Sequence, residues 1–117
     1  MELYTWESVQ KEQLNPQMWR KVISGQRVMI AQISLAQGGV VPTHQHESEQ
    51  ISYVMEGALK FELNNQEIIV RAGEVLHIPS NLPHAATAIQ DTLSLDVFSP
   101  IRADWLIGND DYLRGRK

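Results

Sequence analysis

Three of the four histidines in this chain stand where their side chains can meet. His44 and His46 are two residues apart in an extended run, and strand side chains two apart project from one face. Gln50 follows four residues later, at the start of the next strand-like run. His84 lies 34 residues beyond Gln50, just after the loop from Pro79 to Pro83. Closure of a sheet would bring it opposite the pair. Three imidazoles suit one divalent transition metal, and the ligand types do not separate Zn, Ni, Fe or Mn. A glutamine ligand would bind through its neutral amide oxygen and leave the charge of the ion uncompensated. Such an ion is a stronger Lewis acid and draws anionic guests, a carboxylate or an enolate. Gln50 has a second reading, as hydrogen-bond partner of a bound water. His77 sits mid-strand on the same face as Val75, between two apolar neighbours, and reads as structural.

A second reactive group follows from the last long alternating run. There Leu93, Leu95 and Val97 share one face, and Ser94, Asp96 and Phe98 share the other. If the first three pack outward, Asp96 and Phe98 point inward, toward the histidines. A lone interior carboxylate is costly unless a metal, a cation or a polar guest compensates it. Arg102 follows the turn at Ser99-Pro100 and can fold over the barrel mouth, and its fork suits a carboxylate. On residue chemistry alone, Asp96 and Arg102 are equally a structural ion pair or a proton carrier and a substrate clamp. Phe98 is an apolar wall for a guest or an ordinary core residue. Ser52 shares strand parity with Gln50 and is small enough to leave room beside it.

The elements that must position these groups are short strands between turn residues, the pattern of an all-β sandwich or barrel. Strands are predicted over Met18 to Ser24, Val28 to Ala36, Val40 to His46, Gln50 to Met55, Ala58 to Leu63, Glu67 to Arg71, Val75 to Ile78, His84 to Ile89 and Thr92 to Phe98. Asn64-Asn65-Gln66 makes a hairpin turn, because asparagine tolerates positive φ. Arg102 to Leu106 forms one helical turn, and the residues beyond it read as a surface tail. The stretch from Glu7 to Leu14 is either helical or irregular.

Composition removes several classes of function. The 117 residues suffice for one domain, and 43% are apolar. Cysteine is absent, which excludes disulfides, thiolate metal sites and a thiol nucleophile. The formal net charge is −4, and the basic residues cluster only in Arg114-Gly115-Arg116-Lys117, which reads as a solvated terminus. No nucleic-acid partner is expected. No signal peptide and no membrane segment are expected, so the location expected is cytoplasmic.

The glycines and prolines around the histidines carry a resemblance. Gly38, five residues, His44-x-His46, three residues, Gln50, six residues and Gly57 match the first motif of the cupin superfamily, with Gln where Glu is usual. Gly73, Pro79 and His84 match the second motif in register. Asn81 stands where Gly is usual, a benign change because Asn is the next best residue for a left-handed turn. Ala88 stands where Asn is usual. The run from Thr43 to Trp105 further resembles the small KdgF-type cupins of pectin and alginate breakdown, through His44–Gln50, Ser52-Tyr53-Val54, Glu56-Gly57, Ile78–His84 and Leu95-Asp96-x-Phe98-Ser99-Pro100-x-Arg102. The resemblance implies a single-domain cupin over 1–117, a double-stranded β-helix or jelly-roll barrel with its core at about 27–100. It implies metal ligands His44, His46, Gln50 and His84, and functional residues Asp96, Phe98 and Arg102. The implied activity is conversion of 4,5-unsaturated uronate monomers to linear ketonised sugar acids, with a small anionic sugar acid as substrate. A homodimer through strand edges is expected by the same analogy. The alternatives are an Fe(II)-dependent dioxygenase and a non-catalytic module that binds a small acid or sugar.

Overall fold

The computed structural model describes residues 1–115. A 3-10 turn at Trp6–Ser8 leads into ten strands: β1 (Glu12–Asn15), β2 (Met18–Ser24), β3 (Met29–Leu35), β4 (Val40–His44), β5 (Glu49–Glu56), β6 (Ala58–Leu63), β7 (Gln66–Arg71), β8 (Val75–Ile78), β9 (His84–Ala88) and β10 (Thr92–Ser99). Two one-turn helices come after them, α1 (Ala103–Leu106) and α2 (Asp111–Arg114). The strands form a six-stranded sheet, β1-β2-β3-β10-β5-β8, and a four-stranded sheet, β4-β9-β6-β7. All pairings are antiparallel. No helix among the described residues is long and apolar enough to cross a membrane.

Alternation decides which side chains meet between the sheets. On β3, Met29, Ala31, Ile33 and Leu35 are buried while the residues between them are half exposed. On β6, Leu59, Phe61 and Leu63 do the same from the opposite sheet. Local conformation sets the register. Asn64 and Asn65 have φ of 53° and 58°, the two left-handed residues of a tight hairpin that pairs Leu63 with Gln66. Gly57 has φ +86°, and a Cβ there would lie 2.3 Å from the carbonyl oxygen of Asp91, so only glycine fits.

Three expectations are corrected. The run Val40 to His46 is not one strand: β4 ends at His44, its pairing with β9 slips between Val41 and His44, and His46 lies in the crossing from the small sheet to the large one. Glu7 to Leu14 is neither all helical nor all irregular: a 3-10 turn covers Glu7 and Ser8, and β1 begins at Glu12 and, with β2, extends the larger sheet. The segment after Leu106 is not a surface tail. Leu113 is buried in the core cluster, and Asp110 is fully buried. Arg114 is not solvated freely: it bonds Asp110 and Glu12, and Asp110 also receives buried Arg20. Burial favours protonated Asp110, but the hydrogen bonds from Arg114 and Arg20 outweigh it and hold its pKa below the ordinary carboxylate value. Arg116 and Lys117 lie outside the described residues.

Candidate metal centre

Backbone register brings the candidate ligands together from both sheets. His44 and His84 are direct partners in the β4–β9 pairing, so both imidazoles leave the same face of the small sheet. Their ring centroids are 4.3 Å apart. His46, just beyond the end of β4, joins them with its centroid 5.0 Å from that of His84. Its loop is braced from the second motif: Asn81, at φ 62°, donates its N–H to the His46 carbonyl at 2.8 Å, and the Ser80 hydroxyl donates to the Glu47 carbonyl. The left-handed turn inferred for Asn81 therefore also fixes a ligand. One ring nitrogen from each of the three histidines lies within 4.8 Å of the others, a spread that bonds of about 2.1 Å to a shared ion can close with small side-chain rotations.

The three rings share one tautomer for one reason. Nδ1 of His44, His46 and His84 lies 2.8 Å from the carbonyl oxygens of Pro42, Ser48 and Leu82, respectively. A carbonyl only accepts, so Nδ1 carries the proton and Nε2 is left as a bare lone pair. Nε2 of His84 is buried and has no partner among the described residues. Nε2 of His46 faces Oε1 of Gln50 at 3.1 Å, two acceptors aimed at one another. Both features are unfavourable without a cation and favourable with one. Burial first, and the positive charge of Arg102 with it, bring His44 down to about 3 and His46 to about 4. His84 is lowered first by burial too. The imidazoles thus stay neutral, the form that binds metal. These residues fit a divalent transition metal.

Gln50 is oriented by a residue whose part the sequence does not disclose. Its amide nitrogen donates to the Ser52 hydroxyl at 2.9 Å, which turns the amide oxygen toward His46. Ser52 is fully buried and sits opposite Asp96 in the β5–β10 pairing. It therefore anchors the glutamine rather than simply leaving space. Asp96 does point inward from β10, as the alternation predicts, and lines the same cavity as His44, Gln50 and His84. Its Oδ1 is buried and without a partner among the described residues. Burial raises its carboxyl to about 6, against the opposing pull of the Ser52 hydroxyl and the Arg102 charge.

Arg102 is buried, but Asp96 is not its ion-pair partner. Its Nε and Nη2 donate to the two carboxylate oxygens of Asp104 at 3.0 and 2.9 Å. Nη2 also donates to the Tyr112 hydroxyl at 2.7 Å. Of the two readings, a structural Asp96–Arg102 ion pair or a proton carrier and a substrate clamp, the ion pair is not formed. Phe98 is buried, lines the cavity, and meets His46 and Trp105 edge-on at 5.7 and 5.1 Å. The arginine guanidinium lies 5.3 Å from its ring centroid. His77 is outside this constellation, exposed and paired with Glu49 at 2.6 Å. Tyr112 and Asp104 give no signal in the sequence, because both belong to a charged, aperiodic stretch.

The cupin domain family model matches residues 31–99, which contain every candidate ligand. The pectin degradation protein KdgF of Dickeya dadantii is 28% identical over 98 residues, covering 81% of this chain and 89% of that protein. The structure of KdgF from Halomonas sp. superposes with a TM-score of 0.82 at 29% identity, over 89% of this chain and 99% of that one. An RmlC-like cupin from Shewanella frigidimarina shares the fold with a TM-score of 0.84 at 24% identity, covering 90% and 96% of the two chains. With more than half of its length matched, the chain belongs to the cupin domain family.

Proposed function

We propose that this protein is a metal-dependent, redox-neutral enzyme that converts 4,5-unsaturated uronate monomers to linear ketonised sugar acids. One observation carries the reading. A cavity lined by His44, His84 and Gln50, two imidazoles of a three-histidine cluster with His46, also holds a buried carboxyl, Asp96, whose pKa stands at about 6. The likeness to a protein named for pectin degradation, and to a KdgF of solved structure, supports the substrate class. A divalent ion bound by His44, His46, Gln50 and His84 would supply Lewis-acid polarisation of a carboxylate or enol-ether oxygen.

The remaining chemistry belongs to the chain. The overall change is an isomerisation: a proton leaves the anomeric hydroxyl, the ring C–O bond breaks, and a proton arrives at C4 as the enol becomes a ketone. No oxidant is consumed. Asp96 is the proton carrier, since a carboxyl near 6 both accepts and releases a proton around neutral pH. Arg102 grips the substrate carboxylate. Phe98 supplies an apolar wall that keeps water from the reacting face.

The test is turnover of 4,5-unsaturated galacturonate followed by NMR, with Asp96→Asn beside the wild type. Wild type should yield the linear keto acid, and the variant should lose roughly 10²- to 10⁴-fold in kcat with its metal retained. Undiminished turnover by the variant would remove Asp96 from the reaction.

A further inference from the structure

The cavity beside the histidines encloses only about 50 Å³. That is room for one or two waters, whereas pockets for small ligands run to roughly 300 Å³ and more. Part of its wall is C-terminal, from Trp105 of α1 and Tyr112 and Leu113 of α2. The ring of Tyr112 lies 4.9 Å from that of His44, inclined by 30°. This segment therefore forms part of the wall over the site.

The hydroxyl of Tyr112 is unusually placed. Its oxygen accepts from Arg102 Nη2 at 2.7 Å and from Trp105 Nε1 at 3.3 Å. A phenol has two acceptor lone pairs and one proton. Both lone pairs are used, and among the described residues no acceptor takes the proton. The Arg102 fork is occupied meanwhile by Asp104, a carboxylate of the chain itself. Two donors that suit an anion thus stand side by side at the cavity, one holding an internal carboxylate and the other holding nothing.

This segment is fastened by ion pairs and by Leu113, which is buried in the core cluster. Asp110 bonds Arg20 and Arg114, Arg114 bonds Glu12, and the Asn15 amide donates to the Leu113 carbonyl. Residues 107–109, between α1 and α2, are exposed.

We propose that Tyr112 is a ligand-binding residue, which with Arg102 grips one anionic group of a small carboxylic acid, and that α2 is the lid that lifts about residues 107–109 to admit it. On entry the ligand carboxylate replaces that of Asp104 on Arg102 and receives the free Tyr112 proton as a hydrogen bond. This inference rests on the small-acid reading above, though not on the reaction proposed there.

Calorimetric titration of the metal-loaded full chain tests it, with galacturonate and acetate as acids and galactose as the neutral control. Wild type should bind both acids and not galactose. Tyr112→Phe should bind both acids on the order of tenfold more weakly, since a hydrogen bond to a charged group is lost. Its metal affinity should match wild type, while its Tm should fall by roughly a few degrees as Arg102 and Trp105 lose their acceptor. Wild-type acid affinity in the variant would overturn the proposal, as would a loss of acid affinity matched by an equal loss of metal affinity, because that is a packing role. Amide hydrogen exchange over residues 110–115 should slow when galacturonate binds, and unchanged exchange would overturn the lid. If wild type binds neither acid, the small-acid reading falls and this inference with it. If it binds the acids without converting the unsaturated uronate, only the reaction falls.

Discussion

The single side chain that does most to explain the metal centre is Ser52, which lies outside the ligand set. Its hydroxyl holds the Gln50 amide and faces Asp96 across a strand pair, so one small residue joins a candidate ligand to the candidate proton carrier. Ser52→Ala should weaken metal binding by roughly 10- to 100-fold, the range for lost ligand-orienting bonds, as a metal titration will show. The raised pKa of Asp96 makes two signed predictions. Activity that needs the carboxylate should rise as pH rises through about 6. Stability moves the other way: a carboxyl raised in the folded state stabilises below its unfolded pKa of 3.8, and that contribution is lost as pH rises through about 6. Asp96→Asn should therefore raise the Tm of the metal-free protein by on the order of 10 °C at pH 8 and leave it unchanged at pH 3. An equal change at both pH values would place the effect elsewhere. The histidines are legible as a site because His-x-His, Gln50 and His84 stand at fixed distances from glycines. The service of Ser52 is not, because a buried hydroxyl in a strand looks like any other serine.

Among the elements, the strands divide by how local their causes are. The sequence ranges for β2, β6 and β8 coincide with the structure, since clean alternation or turn residues bound them. The Asn64-Asn65 turn is equally local. The end of β4 is not: it depends on a slip in pairing with β9, about 40 residues on, and the sequence runs smoothly through His46. The last segment is harder still. Asn109-Asp110-Asp111 looks solvated, yet Asp110 is fully buried because Arg20 of β2 and Arg114 meet it there. A charge pattern does not tell which distant partners will neutralise it. Removing one partner of a buried pair strands the other, which costs about 3–5 kcal/mol. Asp110→Ala should accordingly lower the Tm by on the order of 10 °C, whereas Lys60→Ala, which breaks the exposed pair with Glu62, should change it by about 3 °C or less. Similar losses in both variants would deny the Asp110 cluster its fastening role.

At the scale of the molecule, two sheets of opposite duty meet at one cavity. The small sheet brings His44 and His84, and the large sheet brings Gln50, Asp96 and Phe98. Because burial holds His44 at about 3 and His46 at about 4, protons compete poorly for the site. Metal loading at about pH 5.5, measured by equilibrium dialysis, should match that at about pH 7.5; a steep loss between them would mean ordinary histidines. A ligand bound only by the folded state stabilises it, so metal removal should lower Tm, and His84→Ala should abolish that difference. We propose that the gathered candidate ligands and Asp96 serve redox-neutral uronate chemistry. Its most direct test is the conjugated ultraviolet absorbance of 4,5-unsaturated galacturonate, followed under anaerobic conditions with metal-loaded protein, metal-stripped protein and His84→Ala. Loss of absorbance is expected with the loaded wild type alone. Loss no faster than the spontaneous rate, or a requirement for oxygen, would contradict it.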